Sequence, residues 1–173
     1  MCGICGKFSV RERVERSLIE GMCTALTHRG PDDGGVYVGS SIGLGNRRLA
    51  IIDLSTAGHQ PMSTPWGTLW ITYNGEVYNY RELREQLQSH GYRFQSSADT
   101  EVVLYAYHKW GAVCLHRFNG MFAFAIWDEE EQRLFLARDR LGIKPLYYFF
   151  DVTKICLLYT SPSPRDLSTS RMP

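Results

Sequence analysis

The chain has 173 residues, 44% of them hydrophobic and 21% charged, with a formal net charge of +1. That is ordinary globular composition at one domain's length, enough to bury a core. A near-neutral balance argues against nucleic-acid and membrane-surface partners, which need a clustered basic face. "RERVERSLIE" lies where a secretory signal would have its apolar stretch, and no run reaches transmembrane length. Five cysteines, at positions 2, 5, 23, 114 and 156, make a poor disulfide framework, so a reducing cytoplasm is the expected compartment.

In chain order, "GICGKFSV" reads as a short apolar strand. Val14, Leu18, Met22 and Leu26 recur every four residues and predict an amphipathic helix. "THRGPDDGG" is broken by Gly and Pro into a loop. "GVYVG" and "IGLGNRRLAIIDL" read as strands, followed by the turn-rich "STAGHQPMSTPWG" and the β-branched, aromatic "TLWITYNGEVYN". Tyr80 to His90 is predicted helical: Asn79 and Glu82 form an N-cap pair, Leu83 and Leu87 line one face, and Gly91 stops it. A second helix follows Asp99 and Thr100, with Val103, Ala106, Tyr107 and Trp110 at helical spacing. "GMFAFAIWDEEEQRLFLARDR" is two strands around an acidic turn, and "GIKPLYYFF" is a further strand. Strand blocks alternating with separate helices predict helices laid over sheet faces.

The end differs in kind. "TSPSPRDLSTSRMP" is rich in Ser, Thr and Pro, lacks periodicity and cannot offset the entropy of ordering. It reads as a natural disordered tail or, since "CLLYTSPSPRD" resembles translated adapter read-through, as non-native sequence joined to a domain cut near Asp151 to Ile155. The expected division is a domain over residues 1–155 and a tail over 156–173, with residues 157–173 packing on nothing.

The opening "MCGICGKF" raises the question of function. A zinc site needs four ligands, yet Cys23 and Cys114 stand alone and no paired His completes one. A redox Cys-x-x-Cys belongs at a helix start, not in a strand. As a small buried hydrophobe, Cys5 is accounted for and Cys2 is not. Cys2 fits an N-terminal nucleophile: with Met1 removed, it carries a thiol and a free α-amine of pKa about 7.7–8.0 that can take the thiol's proton.

"MCGICGKF", "HRGPDDGG", "RRLAIIDLS", "GHQPM", "YNGEVYN", "SADTEVVL", "NGMFAFAIWD" and "ARDRLGIKPLYY", in that order, resemble the class II glutamine amidotransferases. Within these they are most similar to the glutaminase domain of glutamine-hydrolysing asparagine synthetases. The resemblance implies an N-terminal-nucleophile hydrolase fold: an α+β sandwich of two mostly antiparallel sheets between helical layers, incomplete here at its C-terminus. It implies that Cys2 attacks the side-chain amide of L-glutamine, and that Asn74 and Gly75 form the oxyanion hole, although Asn-Gly alone would mark a hairpin turn. Arg48 would clamp the substrate α-carboxylate and Arg47 would be a solvated charge. Leu49, Ile51 and Ile52 would line the pocket, and Glu76 and Asp99 would sit near the α-ammonium, Asp99 serving also as a helix N-cap. Arg29 belongs to a supporting loop.

No metal or cofactor is expected in this fragment. ATP and Mg²⁺ would belong to a C-terminal synthetase domain outside it, the partner for the ammonia, and the resemblance allows a homodimer. A related amidotransferase that aminates a sugar or peptide carboxylate, and a non-catalytic glutamine-binding module, remain the alternatives.

Overall fold

The computed structural model describes residues 2–158. Its elements are β1 (Gly3–Ser9), α1 (Arg16–Ala25), β2 (Asp33–Val38), β3 (Ile42–Arg48), β4 (Met62–Ser63), β5 (Leu69–Val77), α2 (Tyr80–Ser89), α3 (Asp99–Trp110), β6 (Gly120–Asp128), β7 (Arg133–Arg138), β8 (Tyr147–Asp151) and β9 (Lys154–Leu158). One sheet has the order β2-β3-β1-β9-β8 and the other β4-β5-β6-β7. Every described pairing is antiparallel.

Period-two alternation decides what each sheet face meets. On β1, Phe8 turns toward the second sheet, its ring centroid 5.5 Å from that of Trp127. Cys5 turns the other way and packs with Ile19, Cys23 and Leu26 beneath α1. Ile42, Leu44 and Leu157 meet Ala125 and Trp127 to fill the space between the sheets. The outer face of the second sheet carries Leu69, Ile71, Tyr73, Phe122 and Phe124 against Leu83, Leu87 and α3. α3 is buried continuously from Asp99 to Tyr107. The layers therefore run helix, sheet, sheet, helix, as expected.

Several local expectations are corrected. Of the expected row, Val14 and Leu26 are buried and Met22 packs partly buried against the same cluster, while Leu18 lies exposed; the buried positions within α1 itself are Ile19 and Cys23. β3 ends at Arg48, and 49–55 leaves the sheet because the Arg48 guanidinium donates back to the carbonyls of Asp53 and Ser55. Asn79 does not cap α2 with its side chain; it bonds the Arg117 carbonyl at 2.9 Å and the Asn119 N–H at 3.0 Å, fixing the approach to β6. Asp99 is the first residue of α3, and Ala98 holds the cap position without a side-chain bond. Arg47 is only partly exposed, its Nε donating to the Gly30 carbonyl at 3.0 Å, which ties the 27–32 loop to β3.

The boundary placed at residue 155 also moves. β9 runs through Leu158 between β1 and β8, with Leu157 only 1% exposed. "KICLL" is an apolar strand whose Ile155 and Leu157 face the sandwich interior, and the Ser/Pro-rich composition begins only after it. The rest of the expected tail, 159–173, lies outside the described residues. Beside β9, β8 is the last strand of its sheet among the described residues, with Tyr148, Phe149 and Phe150 exposed.

Candidate active site

Three elements bring their ends together at one edge of the sandwich. The β1–β3 register sets Gly3 opposite Arg47, so Cys2, one residue earlier, meets the exit of β3. The Leu49 N–H donates to Cys2 Sγ at 3.5 Å, and the thiol can donate to the Leu49 carbonyl at 3.7 Å. Burial pushes the Cys2 thiol pKa up, and the Leu49 N–H and the Arg48 charge pull against that shift without cancelling it. The resting sulfur is therefore a thiol and needs a base to become a nucleophile.

A cavity of about 130 Å³ opens beside it. Cys2, Arg48, Leu49, Ile51, Ile52, Asn74, Gly75, Glu76 and Asp99 all line it, so the nine residues singled out in the sequence converge. Ile51 is 68% exposed and contributes an edge rather than a wall. Arg48 is buried, and its Nη1 lies 3.0 Å from the Ser55 carbonyl. Its guanidinium rests on Gly58, where a Cβ would fall 2.1 Å from Nη2, so a side chain there would displace it.

Asn74 and Gly75 lie inside β5, not in a turn. Asn74 is 2% exposed, and its Nδ2 is buried without a hydrogen-bond acceptor. Buried amide donors are nearly always paired, so an unpaired one at a cavity wall marks a place for a ligand oxygen. Gly75 pairs with Phe122, whose N–H and C=O both bond to Asp139 on the far side of β6. Gly75–Phe122 is thus a non-hydrogen-bonded pair, and the Gly75 N–H points away from β6. The N–H groups of Tyr73 and Val77, of the same parity, leave β5 by that edge to Gln60 Oε1 at 2.7 Å and Asp99 Oδ2 at 2.9 Å.

Asp99 Oδ2 also accepts the Tyr73 hydroxyl at 2.6 Å. Burial raises the pKa of Asp99 despite these donors, and raises that of Tyr73 further. The lining also includes residues the sequence did not single out, among them Asp53, Gln60, Tyr73, Thr100 and Lys144. Lys144 is 5% exposed, and burial lowers its pKa. Asp139 accepts the N–H groups of Ile143 and Lys144, both at 2.9 Å, and so shapes the turn that carries Lys144. Among the described residues no group of three or more His, Cys, Asp or Glu could hold a metal ion, and no helix is long and apolar enough to cross a membrane.

Asp53 holds the 49–55 loop in place. Its Oδ1 accepts the Ser55 hydroxyl at 2.6 Å and the Ser55 N–H at 2.8 Å, and its Oδ2 accepts the Ser97 N–H at 2.8 Å. These bonds, the Ser55 hydroxyl foremost, lower its pKa from the ordinary 3.8 to about 2. The folded pKa lies below the unfolded one, so the contribution is complete above the unfolded value and is lost as pH falls through the folded one. Asp53→Asn should cost about 2 kcal/mol at pH 7, with the difference shrinking toward zero near pH 2. Denaturant titrations of both proteins across that range check this, and a pH-independent difference would refute it.

The family model described as a glutamine amidotransferase domain matches residues 1–164, and the chain belongs to that family. Asparagine synthetase [glutamine-hydrolyzing] 3 of Bacillus subtilis is 42% identical over 152 residues, covering 86% of this chain and 25% of that protein. Asparagine synthetase [glutamine-hydrolyzing] 1 of the same organism is 44% identical over 152 residues, covering 86% and 24%. The rice enzyme numbered 2 is 38% identical over 149 residues, covering 85% and 25%. The chain thus spans about a quarter of the length of these relatives. Among solved structures, glutamine phosphoribosylpyrophosphate amidotransferase of B. subtilis, complexed with ADP and GMP, superposes with a TM-score of 0.77 at 21% identity, covering 91% of this chain and 42% of that one. The fold is that of the N-terminal-nucleophile amidotransferases.

Proposed function

We propose that this chain is the glutaminase portion of a glutamine-hydrolysing asparagine synthetase, with Cys2 as nucleophile. The observation that carries the reading is the buried, unpartnered Asn74 Nδ2 on the wall of the cavity that holds Cys2. With Met1 removed, the Cys2 α-amine takes the thiol proton and the sulfur attacks the side-chain carbonyl carbon of L-glutamine. The carbonyl oxygen gains charge and is received by Asn74 Nδ2 and the Gly75 N–H. The tetrahedral species collapses to a thioester as the α-ammonium returns a proton to the departing nitrogen, releasing ammonia. Water then attacks the thioester, with the amine again as base, and frees L-glutamate and the thiol.

Arg48 receives the α-carboxylate of the substrate, and Glu76 and Asp99 supply negative charge for its α-ammonium. The backbone of Leu49, Ile51 and Ile52 frames the aliphatic part. The cavity's donor set does not suit a nucleotide triphosphate with Mg²⁺: Asp53 and Asp99 are already committed to N–H and O–H donors. ATP-dependent amination of aspartate would belong to the additional length present in the relatives, which would receive the ammonia.

The test is labelling with 6-diazo-5-oxo-L-norleucine, whose electrophilic carbon replaces the glutamine amide. Peptide mass analysis should find the adduct on Cys2 alone, and excess L-glutamine should prevent it. Labelling on Cys5 instead, or none at all, would overturn the reading.

Arg48→Lys tests recognition. Lysine keeps the charge but loses the fork and the paired bonds to Asp53 and Ser55. We expect KM for L-glutamine to rise about 10-fold to 100-fold, the worth of one to two charge-assisted hydrogen bonds, with kcat changing much less. Steady-state glutaminase kinetics decide it.

A further inference from the structure

The edge of β5 that faces the cavity is held at two points by side chains and not by a neighbouring strand. β4 pairs with β5 only at Ile71 and Trp70. Beyond that point the outward N–H groups of Tyr73, Gly75 and Val77 have no strand partner along this edge among the described residues. Gln60 Oε1 takes the first at 2.7 Å and Asp99 Oδ2 takes the third at 2.9 Å. The Gly75 N–H lies between these two clamps.

Gln60 is 4% exposed and both ends of its amide are hydrogen-bonded. Besides the Tyr73 N–H, its Oε1 accepts Asn46 Nδ2 at 3.1 Å, and its Nε2 donates to Thr100 Oγ1 at 3.2 Å. Asn46 Nδ2 in turn reaches Thr72 Oγ1 at 3.1 Å, whose hydroxyl donates to the Gly45 carbonyl at 2.9 Å. One side chain therefore joins β3 of the first sheet, β5 of the second and the first turn of α3. Asn46 Oδ1 is buried without a hydrogen-bond partner, so the network is not fully satisfied; the bonds it does make still tie both sheets and α3 to one side chain.

We propose that Gln60 is a positioning residue for the oxyanion site: its Oε1 acts as a one-residue extension of β4 that sets the register and tilt of β5 where Asn74 and Gly75 present their donors. This rests on the function proposed above. It predicts a loss larger in the transition state than in substrate binding, because Gln60, although it lines the cavity, acts here through the β5 backbone and not through Arg48, Glu76 or Asp99, which are proposed to hold the substrate's charged ends.

The experiment uses the chain with Met1 removed and three variants. Gln60→Met keeps the length and removes the bonds. Gln60→Asn keeps the amide but withdraws it by one methylene, so the site stays testable if Met is not tolerated. Gln60→Glu retains an oxygen for the Tyr73 N–H. The readouts are kcat and KM for L-glutamine and the affinity for glutamate γ-semialdehyde. The Cys2 S–H adds across the C=O of that aldehyde to give a hemithioacetal, whose oxygen occupies the oxyanion position.

Gln60→Met and Gln60→Asn should lower kcat and aldehyde affinity together by roughly 10²-fold, the scale of a 1 Å misplacement, and leave KM within about threefold. Gln60→Glu should recover most of both. Combined with Asn74→Ala, Gln60→Met should add little further loss, because both act through one contact. Unchanged kcat and aldehyde affinity in Met and Asn would overturn the proposal, as would a fall in thermal stability with kcat preserved. If the unsubstituted chain neither hydrolyses glutamine nor takes up the diazo-ketone, the functional reading itself has failed. An active parent with indifferent Gln60 variants removes only this inference.

Discussion

On the function proposed above, Cys2→Ala should abolish glutamine hydrolysis, while any ammonia-dependent amination by a longer protein that carries this domain should persist, because an acceptor site would need only a source of ammonia. The expected loss is complete within detection, since no other sulfur can take over. Cys5 is fully buried beneath α1, its Sγ 3.7 Å from that of Cys23, and faces away from the cavity. Cys5→Ala should therefore cost packing energy, in the range of about 1–2 kcal/mol for a small buried group, and leave kcat in place. Retention of Met1 should match Cys2→Ala in effect. It turns the amine into an amide, and the Cys2 thiol, already raised by burial, then loses the base on its own residue. Intact-mass measurement of the N-terminus beside glutaminase assays of both variants decides this. Full activity with Met1 in place, or dependence on Cys5, would return the opening cysteines to a redox or metal role.

The second large effect lies on β5. Asn74→Ala should lower kcat by about 10²–10³, or 2.7–4 kcal/mol of transition-state stabilisation, with KM nearly unchanged. Its effect on stability should run the opposite way. Asn74 Nδ2 is buried without an acceptor, a condition that costs about 1–3 kcal/mol, so alanine removes a penalty even as it leaves a small void. Unfolding midpoints at or above those of the parent, together with a collapsed kcat, would be the signature of a site strained for function. Gly75→Ala should damage both. A Cβ there would fall 2.5 Å from the Met121 carbonyl oxygen and 2.7 Å from Phe122 Cα, pushing β5 off β6. A Gly75→Ala variant with normal kcat and stability would contradict the close packing of this pair.

The layers and the residues at the cavity were legible for different reasons. The continuous apolar run of "GMFAFAIWD" and the acidic turn after it name β6 and β7 from local sequence alone. The cavity residues were found because they sit in short stretches that resemble a family, since no periodicity distinguishes Asn74 from a turn residue or Arg48 from a solvated charge. What local reading missed was decided by distant partners. Asn79 has the chemistry of a cap, but it spends its amide 38 to 40 residues away on Arg117 and Asn119. "LAIIDL" has the composition of a strand, yet Arg48 and Asp53 bend it into a loop. Gln60 and Lys144 sit in "GHQPM" and "ARDRLGIKPLYY", which resemble the family, but as polar residues they give no sign of burial until both sheets are stacked.

The alternation of β5 has one more consequence. Leu69, Ile71, Tyr73 and Val77 belong to the core under α3, while Trp70 joins the packing between the sheets and Asn74 lines the cavity. Scaffold and chemistry are thus interleaved on one strand with a period of two. A single-residue insertion or deletion anywhere from Leu69 to Asn74 would rotate the donors of Asn74 into the helix-facing core and a large apolar or phenolic side chain into the cavity. A one-residue insertion or deletion along this stretch should therefore cost activity. The exposed turn after β4 can take up a change of length, because a shifted frame there reverses no side chain of β5.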